Sequence, residues 1–279
     1  MTILAIGAAG AVAGLVVPAL AERGARVRGL VRKPEQVDQV RGCGAAEVTV
    51  GDLRDRTSLD QVFRDIDAVF YIYIAPAFLP GEAEVGKGVV DAAIRAGVRR
   101  FVFSSVIHPV LSGLVNHAAK AVVEEAVLNS TLEYTFLHPT LYFQNYAGLW
   151  STIIKAGVLA EPWSADTRFT RVDYRDVAEA AAIALTEDRL LYGTFELCSA
   201  GNLNRKEVAA LIGEVLDREI RAETSDPAAL GDIPKPMRTM FEHYEHRGLL
   251  GSPLTLRAIL GREPRTLRAY IKELAAGKA

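Results

Sequence analysis

The chain has 279 residues, of which half are hydrophobic and 24% are charged, and its formal net charge is −2. This composition is ordinary for a globular protein with a large buried core, and it provides no bulk positive charge for binding nucleic acid or a membrane surface. The two cysteines, Cys43 and Cys198, have no metal-binding or redox spacing, so we expect reduced thiols in a cytoplasmic protein.

Residues 3–21 carry no charge and nearly reach the length of a membrane span. Three glycines and a proline interrupt this stretch, and the basic residues that open a signal peptide do not precede it. We therefore expect a buried strand, a glycine turn and a buried helix here, with no targeting segment and no membrane span.

Apolar runs of strand length alternate with helix-length segments through the first half of the chain. In order, we predict a strand at 2–6, a helix at 11–23, a strand at 25–31, a helix at 34–41, a strand at 46–50, a helix at 57–65 capped by Thr57 or Ser58, a strand at 67–74, a helix at 82–96, a strand at 99–105, a helix that includes 116–120, and a strand at 134–139. This alternation predicts a doubly wound parallel α/β sheet of the Rossmann type, which binds ligands at the carboxyl ends of its strands.

The alternation weakens after about residue 150. There we predict a helix at 174–188, a strand at 193–198, a helix at 204–216, a strand near 219–224 and helices from there to the end. We interpret residues 1–150, with about 170–198, as a Rossmann domain. Residues 151–279 then form a smaller, interleaved C-terminal α/β domain that serves as a substrate lid.

The segment "GAAGAVAG" follows the first strand and opens a helix. Gly7 allows a tight turn, Gly10 lets the backbone approach a pyrophosphate, and Ala13 lets the helix pack closely on the strand. The free N–H groups and the positive dipole end of the helix then favour phosphates. We assign to cofactor binding the residues Gly7, Ala9, Gly10, Ala11 and Val12.

The second strand ends in Arg32 and Lys33, where a site for NAD(H) prefers an acidic residue. A guanidinium suits the 2′-phosphate of NADP(H), although two solvated charges are the alternative. Asp52 and Leu53 follow the third strand and are assigned to the adenine, and Asp52 also suits a helix-capping turn. Two further cofactor contacts are predicted at the end of the fourth strand, Ile74 and Ala75.

Taken together, these segments resemble the NmrA-like family of atypical short-chain dehydrogenases/reductases. The matching pieces are "GAAGAVAG", "VRGLVRKPEQ", "GDLRDRTSLDQVFRDIDAVFYI", "RRFVFSSVIHP", "HAAKAVVEEAVLNSTLEYTFLHPTLYFQN", "DYRDVAEAAAIAL" and "LLGSPLTLRAILGREPRTLRAYI". The resemblance implies a Rossmann domain, a smaller second domain and a cleft between them. It also implies two functional classes: NADPH-dependent reductases of quinones or plant phenolics, and dinucleotide-binding regulators with little turnover.

In "NHAAK", Asn116 stands where tyrosine-bearing relatives place their catalytic acid, and Lys120 keeps the lysine position. An amide cannot donate the proton. The resemblance implies that Lys120 binds the nicotinamide ribose, and Lys120 is our first candidate for a replacement acid. Lys120 also suits an ion pair with Glu124 at i,i+4. His117, on the same helical face, is a second candidate acid or a packing residue.

The ends of the fifth and sixth strands supply the remaining predictions. Ser104 is assigned to the cofactor and Ser105 to orienting a substrate carbonyl, although either serine also suits a turn cap. After the sixth strand, the resemblance implies that two residues border the nicotinamide, His138 and Pro139. It implies a cleft wall for a flat substrate formed by Tyr142, Phe143 and Asn145. Core packing of Tyr142 and Phe143 is the alternative.

We expect an NADPH-dependent oxidoreductase that reduces a quinone or a similar flat carbonyl acceptor, present as a monomer or homodimer. The alternative is a non-catalytic NAD(P)-sensing regulator that binds a partner protein. An epimerase is disfavoured because it needs the missing tyrosine. His243 and His246 have no evident third ligand, so we expect no metal site and interpret them as a solvated helix face.

Overall fold

The computed structural model describes residues 1–73, 81–226 and 231–278. The predicted cofactor contacts Ile74 and Ala75 lie outside these residues. The chain forms two compact units, and each is assembled from two segments. They are Met1–His138 with Tyr174–Phe195, and Pro139–Asp173 with Glu196–Ala279.

The strands of the described residues are β1 (Thr2–Ile6), β2 (Arg26–Val31), β3 (Glu47–Val50), β4 (Ala68–Tyr71), β5 (Arg100–Ser104), β6 (Glu133–Pro139), β7 (Leu141–Tyr142), β8 (Val158–Glu161), β9 (Arg171–Val172), β10 (Gly193–Leu197) and β11 (Arg221–Thr224). Seven of them form one sheet in the order β10-β6-β5-β4-β1-β2-β3. Neighbours from β3 across to β6 pair in parallel, which confirms the predicted doubly wound α/β fold. From β1 the chain adds β2 and β3 on one side of the sheet, and then β4, β5 and β6 on the other side. The strand order therefore reverses between β1 and β4, and such a switch point is where open α/β sheets bind ligands.

The α-helices of the described residues are α1 (Ala13–Glu22), α2 (Val37–Gly42), α3 (Arg56–Val62), α4 (Glu82–Arg95), α5 (Val115–Leu128), α6 (Asn145–Ala156), α7 (Tyr174–Thr186), α8 (Arg205–Leu216), α9 (Lys235–His246), α10 (Leu254–Leu260) and α11 (Leu267–Ala275). In the first unit α1 packs against α7, whereas α4 packs against α3 and α5. Within the described ranges, each helix is too short or too polar to cross a membrane.

The core of the first unit lies on the central strands. Every residue of β4 and β5 is buried, as a parallel sheet covered on both faces requires. Arg100 is the large polar exception in β5, and its guanidinium donates to carbonyl groups at the end of α7. Both cysteines are free thiols, and burial raises the pKa of Cys198 to about 12.

One local prediction for the first unit is wrong, and a second holds with a change in the first turn of the helix. The residue that caps α3 is Asp55, whose carboxylate accepts from the Thr57 N–H at 2.9 Å, and neither Thr57 nor Ser58 is the cap. The helix predicted at 34–41 is a 3₁₀ turn, Pro34–Gln36, followed by α2. The Gln36 side chain closes this turn by accepting from the Lys33 N–H at 3.1 Å.

The second unit has its own core and two small parallel sheets, β8 with β11 and β7 with β9. Sequence analysis predicted no element between residues 140 and 172, although α6 and three short strands lie there. Strands of two to four residues are too short to show a periodic pattern. Buried Arg205 organises this unit by pairing with Glu161 and donating to the backbone carbonyl of Trp163 at 2.6 Å.

Candidate functional site

The glycine turn after β1 has the backbone conformation that its sequence predicts. Gly7 has a φ of +74°, in the left-handed region that favours glycine. The Gly10 N–H donates to the Gly7 carbonyl at 2.7 Å, and a Cβ on Gly10 would lie 3.0 Å from that oxygen. Ala13 begins α1 and is buried. The turn therefore needs small residues, and it brings the amino end of α1 to the carboxyl end of β1.

A cleft of about 560 Å³ opens over this turn. It is lined by residues from the carboxyl ends of β1, β2, β3 and β4, the edge at which a doubly wound sheet binds nucleotides. The lining residues that the sequence predicted are Gly7, Ala9, Gly10, Ala11, Val12, Arg32, Asp52 and Leu53. Those that it missed include Gln36, Arg54, Ile72, Tyr73 and Tyr174.

Arg32 and Lys33 lie in different surroundings, although they are adjacent in sequence. Arg32 is exposed and lines the cleft, and it forms no ion pair with any residue that the structure describes. Lys33 does not line the cleft, and its ammonium lies 3.6 Å from the Glu35 carboxylate. Of the two predicted cations, only Arg32 presents its charge to the cleft, and Arg54 adds a second exposed guanidinium there.

Asp52 was predicted either to contact the adenine or to form a helix-capping turn, and its position in the structure allows both. Its carboxylate accepts from the Arg54 N–H at 2.9 Å, and its own N–H donates to the Ser58 hydroxyl at 2.9 Å. These bonds form a tight turn before α3, and Asp52 still lines the cleft together with Leu53.

Lys120 is buried where α5 faces α4. Its ammonium pairs with the Glu82 carboxylate and donates to the Tyr73 carbonyl at 2.5 Å. Burial lowers the pKa of Lys120, and the charge of Glu82 opposes that shift. The ion pair with Glu124 that the spacing also allowed does not form. Because Tyr73 lines the cleft, Lys120 lies directly behind its wall.

Glu124, one turn further along α5, has two other partners. Its Oε1 atom accepts from the Ser105 hydroxyl and lies 2.8 Å from the His138 Nε2 atom. Ser105 follows β5 and His138 lies in β6, so this cluster joins the carboxyl ends of two neighbouring strands to α5. Ser105 and His138 are each 6% exposed, which leaves both side chains at the border of the interior.

His117 and Ser104, the other two predicted site residues at this edge of the sheet, are fully buried. The His117 side chain is 0% exposed, and its Nδ1 atom lies 3.0 Å from the carbonyl oxygen of His108, a residue with a φ of +53°. His117 therefore braces the loop between β5 and α5. The Ser104 hydroxyl is buried and has no hydrogen-bond partner among the described residues.

The predicted substrate residues after β6 belong to the second unit, which begins at Pro139. Phe143 is 1% exposed in that unit's core, with its ring centroid 5.9 Å from that of Tyr270. Tyr142 is half-buried in β7, and Asn145 is the exposed first residue of α6. For Phe143 the structure has the core packing that the sequence left as the alternative. In the described residues, no three His, Cys, Asp or Glu side chains are grouped as metal ligands.

Comparison with known proteins identifies the family. A model of the NmrA-like family matches residues 1–251. The chain belongs to the NmrA-like family. This confirms the resemblance drawn from the sequence motifs.

Among the relatives of this NmrA-like chain, a (4-alkanoyl-5-oxo-2,5-dihydrofuran-3-yl)methyl phosphate reductase of Streptomyces griseus subsp. griseus is 30% identical over 98% of both chains. An NAD(P)H azoreductase of Xenophilus azovorans is 25% identical, also over 98% of both. The structure of an NADPH-dependent quinone oxidoreductase from Escherichia coli, in complex with NADPH, superposes with a TM-score of 0.87. It is 20% identical, and the match covers 99% of this chain and 100% of that one. The likeness to this structure concerns the fold.

Proposed function

We propose that this protein is an NADPH-dependent reductase that transfers hydride to a flat, conjugated acceptor such as a quinone. The observation that carries the proposal is the cleft at the switch point of the sheet, with the Gly7–Gly10 turn at its base and Arg32 at its rim. The 30% identical relative and the 25% identical relative are both named as reductases, which supports the same class of reaction here.

The cleft fits a dinucleotide phosphate in three respects. A Cβ on Gly10 would lie only 3.0 Å from the Gly7 carbonyl oxygen, so the turn disfavours a side chain and keeps the backbone open to a pyrophosphate. Arg32 offers a guanidinium without an ion-pair partner among the described residues, which suits a 2′-phosphate. Asp52 and Leu53 lie beside it, where an adenine would be held. The family resemblance assigns Lys120 to the nicotinamide ribose, and in the structure its ammonium holds the carbonyl of Tyr73, a residue of the cleft wall.

The acceptor class follows from the missing tyrosine. Bound NADPH supplies a hydride, and the protein must orient the acceptor and stabilise the charge that develops on it. A conjugated acceptor spreads this charge over its own π system, so it needs less help from an acid than an isolated carbonyl does. The relatives named for a dihydrofuranone and for azo compounds have acceptors of this conjugated kind.

The decisive test combines cofactor binding with turnover. The R32Q variant should bind NADPH about 10- to 100-fold more weakly, because one charge-assisted contact is lost, and should bind NADH unchanged. K33Q is the matched control, since Lys33 lies outside the cleft, and it should retain wild-type NADPH affinity. Fluorescence titration of each variant measures both affinities.

Turnover is measured as anaerobic NADPH oxidation with a panel of quinones and conjugated lactones. Oxidation that depends on the acceptor supports the reductase. Tight NADPH binding with no turnover on any acceptor would overturn the reductase proposal and favour a regulator that senses NADP(H). Equal loss of NADPH and NADH binding in R32Q would overturn the proposed preference for NADPH.

A further inference from the structure

Reduction of a conjugated acceptor by hydride leaves an anion that needs one proton. The sequence predicted Lys120 or His117 as the source of this proton, and in the structure both side chains have other partners. The Lys120 ammonium is held by Glu82 and by the Tyr73 carbonyl. His117 is 0% exposed and braces the His108 carbonyl. A different proton donor is therefore needed at the same edge of the sheet.

His138 has the geometry of such a donor. Its Nε2 atom lies 2.8 Å from the Glu124 carboxylate, which fixes the orientation of the ring. Its Nδ1 atom makes no hydrogen bond to any residue that the structure describes, and the side chain keeps 6% exposure. The Ser105 hydroxyl donates to the same Glu124 oxygen and so holds the carboxylate in place.

The position of His138 along the sheet also suits a proton donor to the acceptor. Arg32, Asp52 and the glycine turn assign the adenine and phosphate half of the dinucleotide to β1, β2 and β3. The nicotinamide half must then extend in the other direction, over β4 and β5 towards β6. Neighbouring strands are about 4.8 Å apart, so the end of β6 lies about 14 Å from β1, within reach of an acceptor stacked beyond the nicotinamide.

The helix α5 connects this position to Lys120. Residues four apart on a helix share a face and are separated by about 6 Å along the axis. Lys120 and Glu124 have this spacing, so the residue assigned to the ribose and the carboxylate that holds His138 occupy successive turns. The charged groups near His138 are thus Glu124 in direct contact, and Lys120 with Glu82 one turn away.

We propose that His138 is the catalytic acid of the reaction and that Glu124, fixed by Ser105, is its positioning residue. This inference rests on the proposed reductase function. The hydride carries two electrons from NADPH to one end of the conjugated system. The anion formed at the other end takes the proton from His138 Nδ1, the N–H bond breaks as the new O–H or C–H bond forms, and solvent reprotonates the neutral imidazole.

The test compares two histidine variants with two kinds of acceptor. H138N should keep the thermal midpoint of the wild type within a few degrees, since it retains a donor towards Glu124, and it separates loss of the imidazole from the loss of packing in H138A. With a conjugated lactone, kcat should fall about 100-fold, the usual contribution of one general acid. With a quinone, whose reduced anion is stable, the fall should be smaller. Added imidazole should restore kcat in H138A.

Glu124 is tested beside its neighbour on α5. E124Q should lower kcat about 10-fold with little change in the KM for NADPH, because the amide holds the His138 ring less firmly than the carboxylate does. E125Q removes an exposed charge from the same turn and should leave kcat unchanged.

A merely structural histidine would give a different pattern. Unchanged kcat in H138A with both acceptors, or a loss that imidazole does not restore, would overturn the role of His138. If H138A is too unstable to assay, H138N is used in its place, and an unchanged kcat of H138N with both acceptors would overturn the role of His138. No turnover by the wild-type protein would overturn the reductase assignment and the acid together, whereas a wild-type kcat in H138A with the conjugated lactone would overturn the acid alone.

Discussion

At the scale of single residues, the cofactor cleft depends on backbone conformations that few residues accept. Gly7 has a φ of +74° beneath the cleft, and Gly24 has a φ of +75° just after α1. The two glycines have nearly the same φ, but only Gly7 lines the cleft. Alanine substitutions at the two positions can therefore separate the free-energy cost of backbone strain from the loss of a binding site.

We expect G7A and G24A to lower the free energy of unfolding by a similar amount, about 1–2 kcal/mol, because each forces an L side chain into the left-handed region. Neither Cβ would clash, since its nearest neighbour at Gly7 is 3.8 Å away and Gly24 faces open space. Only G7A should weaken NADPH binding. Urea unfolding and fluorescence titration measure the two effects, and equal NADPH affinities in both variants would contradict the assignment of the turn.

Several single residues could be assigned from local sequence alone. Gly7, Gly10 and Arg32 follow directly from the ends of two strands, and the structure brings them to one cleft. Glu82 could not be found in this way. Its partner Lys120 is 38 positions away, and no local pattern couples residues across such a separation. The cluster of Glu124 with His138 was missed for the same reason.

At the scale of elements, the contact between α4 and α5 places Lys120 behind the cleft. Gly86 makes this close approach possible, because a Cβ there would lie 2.2 Å from the Val123 Cγ2 atom. Gly88, one half-turn later on α4, has no such constraint, and its nearest neighbour would be Leu59 Cδ1 at 3.9 Å. The close approach of α4 and α5 therefore depends on Gly86 and not on Gly88.

We expect G86A to lower the free energy of unfolding by about 1–3 kcal/mol, because the added methyl group overpacks the α4–α5 contact. G88A should instead raise it by about 0.5–1 kcal/mol, since alanine is the better helix former. The double variant G86A/V123A should be less unstable than the sum of its single changes. Chemical unfolding of the four variants provides the test, and strict additivity would show that the two side chains do not meet.

At the scale of the whole molecule, the first unit depends on joining two distant segments of the chain. Arg100 in β5 is 2% exposed and makes that connection. Its Nη1 atom donates to the carbonyls of Ala184 at 3.3 Å and Glu187 at 3.0 Å, at the end of α7, and its guanidinium pairs with Asp188. The last carbonyl groups of a helix have no partner within it, so the arginine satisfies groups that would otherwise be buried unpaired.

We expect R100M to lower the free energy of unfolding by about 2–4 kcal/mol, because it keeps the apolar volume but leaves these carbonyls and Asp188 without the guanidinium. R99M is the matched control. Arg99 pairs with Glu133 at 2.9 Å, but its side chain is 55% exposed, and such a pair contributes at most about 1 kcal/mol. Thermal unfolding compares them, and equal losses would contradict the capping role of Arg100.

The order of strands and helices in the first unit, the glycine turn and the family could all be predicted from the sequence. These features are local: apolar runs, turn residues and spacing record them within windows of about 5–20 residues. Which charged side chains pair could not be predicted and became clear from the folded structure. Lys120 pairs with Glu82 and not with Glu124, Arg32 faces the cleft while Lys33 does not, and His138 is held by Glu124. Such pairings depend on the packing of α4 and α5 against the sheet, which brings together residues that are far apart in the sequence.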